Sequence, residues 1–190
     1  VTLLEPPWYH RQVAAEETGP ERGVEKVEQG RTVVLSDTHF GDEGALLARP
    51  ALLERFLGEL AAGGPVEEVV LLGDTWDLWR TGINHALEES RLFLRRLCEL
   101  PGLRSLVVVF GNHDHHLYFN PAENRLLREA GRAAAGGEPR PPLLHRDDGG
   151  ELRPLLRVPE DISLTTAYPF HLLEAGGRRV MITHGHQVDF

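Results

Sequence analysis

The sequence predicts an α/β fold built on a parallel sheet, and two observations predict it. Three short apolar runs each give way to a stretch with apolar residues at helical spacing, and each run ends in polar residues beside a glycine. Strands that alternate with helices imply crossover connections and parallel pairing. Polar clusters at successive strand ends imply a site, because ligands of open parallel sheets bind outside the carboxyl ends of the strands.

The first unit starts at Arg31. TVVLSDTHF is a β-branched run that turns polar, and ARPALLERFLGELAAGG continues with helical periodicity and two glycines to stop it. VEEVVLLGDTWDLW followed by HALEESRLFLRRLCEL repeats the pattern, and LRSLVVVFGNHDHH followed by NPAENRLLREAG repeats it again. GRAAAGGEPRPP, residues 131–142, reads as a surface connector. Beyond it, FHLLEAGGRRVMITHGH is two strand-like runs around AGG, a hairpin signal. Residues 1–30, rich in Glu, Gly and Pro without a sustained period, are expected to be an N-terminal extension to a domain spanning 31–190.

Composition narrows the function classes. At 190 residues, 41% hydrophobic and 26% charged, the chain can bury the core of one ordinary domain. Its net charge of −9, and the lack of an Arg/Lys cluster interleaved with aromatics, disfavour a nucleic-acid partner. The longest apolar runs fall far short of the ~20 residues that span a bilayer. The N-terminal stretch lacks the pattern of a secretory signal, and the single cysteine, Cys98, suits a small core residue in a reducing compartment, so the expectation is a cytoplasmic protein.

The chemistry concentrates in four places. SDTHFG carries Asp37 and His39, GDTWDLW carries Asp74 and Asp77, FGNHDHH carries Asn112, His113 and Asp114, and THGH carries His184 and His186. Asp37 and His39 are two apart, so on an extended segment they project to one side and can chelate one ion. Asp74 has two carboxylate oxygens with which to bridge two ions. Asn112 offers a neutral carbonyl oxygen, and His184 an imidazole to the second ion. Oxygen and nitrogen donors without thiolate suit Mn, Fe, Zn, Ni or Co. Asp77 reads as an outer partner that holds a histidine or a loop amide. Trp76 and Trp79 read as packing residues. Of His115 and His116, adjacent in extended chain, at most one can face the site.

In this order, Asp-x-His, Gly-Asp-x-x-Asp, Gly-Asn-His-Asp and His-Gly-His, the blocks resemble the calcineurin-like metallophosphoesterase superfamily over residues 31–190. The resemblance implies an α/β/β/α four-layer sandwich, here incomplete, with two divalent metal ions, manganese favoured, and hydrolysis of phosphate mono- or diesters or a pyrophosphate in a small phosphorylated substrate. It implies Asp37, His39 and Asp74 on the first ion and Asp74, Asn112 and His184 on the second. His113 would be the acid near the leaving group, with Asp114 orienting it. SDTHFG and GDTWDLW are similar to the UDP-2,3-diacylglucosamine pyrophosphatase-like branch, but that branch has arginine where this chain has His113. The difference moves the expectation to a general phosphoesterase. The superfamily's later Gly-His-x-His block is not in the sequence, which leads to the expectation of a C-terminally truncated domain, with a weakly active or inactive interaction module as the alternative function.

Overall fold

The computed structural model describes residues 30–120, 131 and 146–186. The expected N-terminal extension, the connector beyond Gly131 and most of the helix expected over 120–131 lie outside the described residues. Residues 116–120 of that third crossover are helical, starting ahead of the expected Asn120.

Strands β1 (Arg31–Leu35), β2 (Val66–Leu72) and β3 (Ser105–Val109) pair in parallel, as the alternation requires. The short β4 (Arg146–Asp147) and β5 (Ser163–Ala167) complete a sheet of order β1-β2-β3-β5-β4, in which β5 is parallel to β3 and β4 antiparallel to β5. Sequence reading misses β5. Its run Ser163-Leu-Thr-Thr-Ala has one large apolar residue, although Thr165 and Thr166 are β-branched and both are buried.

The central strands are covered on both faces, which is why Leu106–Val109 reads as an unbroken apolar run. One face takes the helices. Helix α1 (Pro50–Ala62) starts on proline, whose fixed φ and missing N–H suit the first turn, and buries Leu53 and Leu57, one turn apart. Helix α2 (Ile83–Cys98) turns Ala86, Leu87, Ser90, Phe93, Leu94 and Leu97 inward at helical spacing. Each large apolar side chain among them contributes ~1.5–3 kcal/mol by leaving water. Arg96 joins the helices by bonds of 2.9 and 2.7 Å to the two carboxylate oxygens of Glu54, an exposed pair that adds little. A short helix α3 (Arg153–Leu156) leads into β5.

The other face of the sheet presents Val70, Val107, Val109 and Ala167 to Leu173 and Ile182 of the antiparallel hairpin β6 (Phe170–Ala175) and β7 (Arg178–Thr183). The hairpin turns at Gly176-Gly177, both at positive φ, as AGG predicts. Helices, main sheet and hairpin are three successive layers of the expected sandwich. No described helix is long and apolar enough to cross a membrane.

Register brings the strand ends together. Leu35 pairs with Leu71, Leu72 with Val109, and Val109 with Ala167, so the segments that follow β1, β2 and β3 leave the sheet at one end. His184 follows the last residue of β7.

Candidate metal centre and active site

The loop after β1 is tied to the loop after β2 by backbone bonds: Asp37 N–H to Gly73 O (3.2 Å), His39 N–H to Asp74 O (2.9 Å) and Phe40 N–H to Thr75 O (2.9 Å). Asp37, His39 and Asp74 have φ of 57°, 49° and 51°, in the left-handed region that residues with a Cβ visit rarely. The projection of Asp37 and His39 from an extended segment is therefore corrected. The strand stops at Leu35, and left-handed backbone at Asp37 and His39 accompanies the approach of the two side chains.

Asp74 is buried at the centre. Its Oδ1 accepts the backbone N–H of His113 at 2.9 Å. Its Oδ2 stands 3.9 Å from His39 Nε2, 3.9 Å from His113 Nε2 and 3.5 Å from His184 Nε2. Asp37 Oδ1 lies 3.7 Å from His39 Nε2 and 3.4 Å from His184 Nε2. Two glycines make room for this convergence. A Cβ on Gly111 would stand 2.1 Å from Asp74 Oδ1, and one on Gly73, itself at φ +78°, would stand 2.4 Å from the His184 ring. The glycine beside each of these clusters thus has a steric cause.

Asp77, buried, lies behind two imidazoles. His113 Nδ1–H donates to its Oδ1 at 2.9 Å, and His39 Nδ1 lies 3.6 Å from its Oδ2, too far for a hydrogen bond, so that this buried nitrogen is left orphaned. Burial pushes the Asp77 carboxyl up, but the bond and charge of His113, the Arg80 N–H and His39 together hold the pKa below the ordinary carboxylate value. Both rings present Nε2 to Asp74, and for His113 the Nδ1–H bond to Asp77 is the usual way a carboxylate fixes a ligand or catalytic histidine.

Asp114 does something else. Its Oδ1 accepts the N–H of Gly111 at 2.7 Å, and its Oδ2 those of Thr75 at 2.7 Å and Trp76 at 3.3 Å. The expectation that Asp114 orients His113 is corrected: it staples the loop after β3 to the loop after β2, and Asp77 holds the imidazole. Burial pushes Asp114 up to about 6 against the pull of those amides.

The remaining candidates divide. Asn112 is half-buried in the same turn, its backbone carbonyl accepting a 2.6 Å bond from His115 Nδ1. His115 and His116 lie where turn meets helix, not in extended chain, and their rings sit side by side at 4.1 Å. His186 backs the site, its Nδ1 3.2 Å from His184 Nδ1 and its Nε2 3.3 Å from Tyr168 Oη. Trp76 is core, fully buried with its Nε1–H on Ser90 Oγ at 2.9 Å. Trp79 is not: it is 60% exposed and stacks on His113, ring centroids 4.2 Å apart. Cys98 is half-buried against the core, its thiol pushed up to about 11 by burial. His171 is buried on β6 and His85 exposed.

The site is thus a set of oxygen and imidazole donors with no thiol among them, in two groups whose atoms lie within 4.8 Å of one another: Asp37, Asp74 and His184, and His39, Asp77 and His113. A family model described as calcineurin-like phosphoesterase matches residues 30–188. The chain belongs to the calcineurin-like phosphoesterase family. No curated protein matches it. Membership implies divalent metal ions, and the residues fit them: three imidazole Nε2 atoms lie within 3.9 Å of the buried Asp74 Oδ2, and two of them within 3.7 Å of Asp37 Oδ1, a mixed nitrogen and oxygen donor set.

Proposed function

We propose that this calcineurin-like phosphoesterase is a dinuclear metal-dependent hydrolase of small phosphate mono- or diesters or a pyrophosphate. The observation that carries the reading is Asp74 Oδ2 within 3.9 Å of the Nε2 atoms of His39, His113 and His184. Asp37, His39 and Asp74 would hold one ion, and Asp74, Asn112 and His184 the other, with manganese the first metal to try. Such ions would supply an activated water and positive charge for the phosphate oxygens.

The protein's own residues do the rest. His113 donates a proton from Nε2 to the departing oxygen while Asp77 holds Nδ1 and stabilises the imidazolium. Asp114 keeps the two loops in register, so that the backbone N–H of His113 fixes Asp74 Oδ1. Histidine at 113, where the UDP-2,3-diacylglucosamine pyrophosphatase-like branch has arginine, supports general phosphoesters over that lipid nucleotide. An interaction module without catalysis has no need of these buried carboxylates, and no observation favours it.

The test is metal content and turnover together. The chain, dialysed and reloaded with manganese, should retain two ions and hydrolyse p-nitrophenyl phosphate or its diester. Retention of no metal and no hydrolysis with any of the five candidate metals would end the reading. In the active protein, His113→Ala should retain metal and lose turnover most for poor leaving groups, because good ones need no proton.

A further inference from the structure

We propose that Trp79 is a positioning residue for His113, its indole forming the outer wall that keeps the imidazole in line with Asp77 and the departing oxygen. The proposal rests on the acid role of His113 given above.

A tryptophan that leaves 60% of its surface in water gains little from the core, so its contact with the site needs another account. Its rings lie nearly parallel to the His113 imidazole, 22° between planes and 4.2 Å between centroids. Among the described residues the imidazole is otherwise held by one side-chain hydrogen bond, Nδ1–H to Asp77 at 2.9 Å, with the His39 ring at 4.9 Å and 89° to it. One hydrogen bond fixes a point on the ring but leaves the ring free to tilt about it. A flat plate over one face of the ring removes that freedom and keeps water off that face. The reach of Nε2 towards the leaving oxygen is thereby set, and misplacement by even 1 Å costs about 10²-fold in rate.

The backbone is consistent with this role. Leu78 N–H bonds to His113 O at 3.3 Å, so the segment carrying Trp79 is fastened to the segment carrying His113. The link between sequence and function is local: Asp77 and Trp79 are two apart in GDTWDLW, one at the edge of the imidazole and the other over its face.

The experiment compares Trp79→Ala, Trp79→Phe, His113→Ala and the Trp79→Ala/His113→Ala double variant in the metal-loaded chain, with an alkyl phosphate and p-nitrophenyl phosphate. It is paired with the 1H–13C signal of His113 Cε1–H in the metal-free chain. The expected result is a fall in kcat of about 10–100-fold for the alkyl ester in Trp79→Ala, the range typical of lost outer partners. The nitrophenyl ester should lose less, KM should stay unchanged, and Trp79→Phe should restore most of the rate. The His113 proton should lose the indole ring-current shift in Trp79→Ala, and His113→Ala should show no further loss when Trp79 is also removed. Equal losses for both esters, a raised KM at unchanged kcat, or an unmoved His113 signal would overturn the proposal. If His113→Ala itself shows no leaving-group dependence, the acid role falls and this proposal with it, while the NMR shift reports separately whether the stack exists.

Discussion

The two halves of the candidate site are built differently. The donors on the loops after β1, β2 and β3 sit on the ends of parallel strands of the main sheet and are tied by backbone bonds from Asp37, His39 and Phe40 to the β2 loop and by the Asp114 staple. His184 arrives on a hairpin that touches the main sheet through Leu173 and Ile182, while Leu172 and Met181 face outward, Met181 56% exposed. The first half is positioned by folding itself. The second is delivered by an element whose stability comes mostly from its own ladder, and two-stranded hairpins are marginal alone.

That difference can be broken or sharpened by substitution. The largest effect should come from Asp74→Asn, which neutralises the carboxylate proposed to serve both ions. Hydrolysis should vanish and metal affinity fall at least ~100-fold at both positions, a ligand mattering more than the 10–100-fold of an outer partner. Calorimetric metal titration checks it, and unchanged binding would refute the central place of Asp74. His184→Ala should lose affinity comparably at one position only, which the same titration reads.

Asp77→Asn should lower kcat by about 10–100-fold with little change in KM, since its carboxylate acts through His113. Gly111→Ala should destabilise the metal-free chain by ~1–3 kcal/mol, because the new methyl would also lie 2.6 Å from the Asp74 backbone nitrogen, which cannot swing aside. The smallest effect, within ~0.5 kcal/mol in urea unfolding and with no loss of metal, is expected of Met181→Ser on the outer face of the hairpin.

Much of this was legible in the sequence because period and punctuation coincide. Two crossovers, the hairpin at Gly176-Gly177 and the grouping of polar residues at strand ends follow from local pattern. β5 was not, because Thr165 and Thr166 look polar in sequence and become core only when β3 lies alongside. Nor was the left-handed turn at Asp37 and His39, since its cause is hydrogen bonding to a loop some 36 residues away. The partners of His113 were half legible. GDTWDLW marks Asp77 as an outer partner, but which imidazole it holds, and that Trp79 covers the same ring, depends on how two loops meet.

The three left-handed donor residues have an evolutionary consequence. Such a conformation costs on the order of 1–3 kcal/mol at each non-glycine position unless the surroundings compensate. At Asp37, His39 and Asp74 glycine would be the residue of least strain. A laboratory selection for heat resistance alone, blind to turnover, should therefore enrich glycine at these positions and erase the donors as it does so. Thermal tolerance and catalysis pull on the same backbone angles, and keeping both requires that stability be raised elsewhere in the chain.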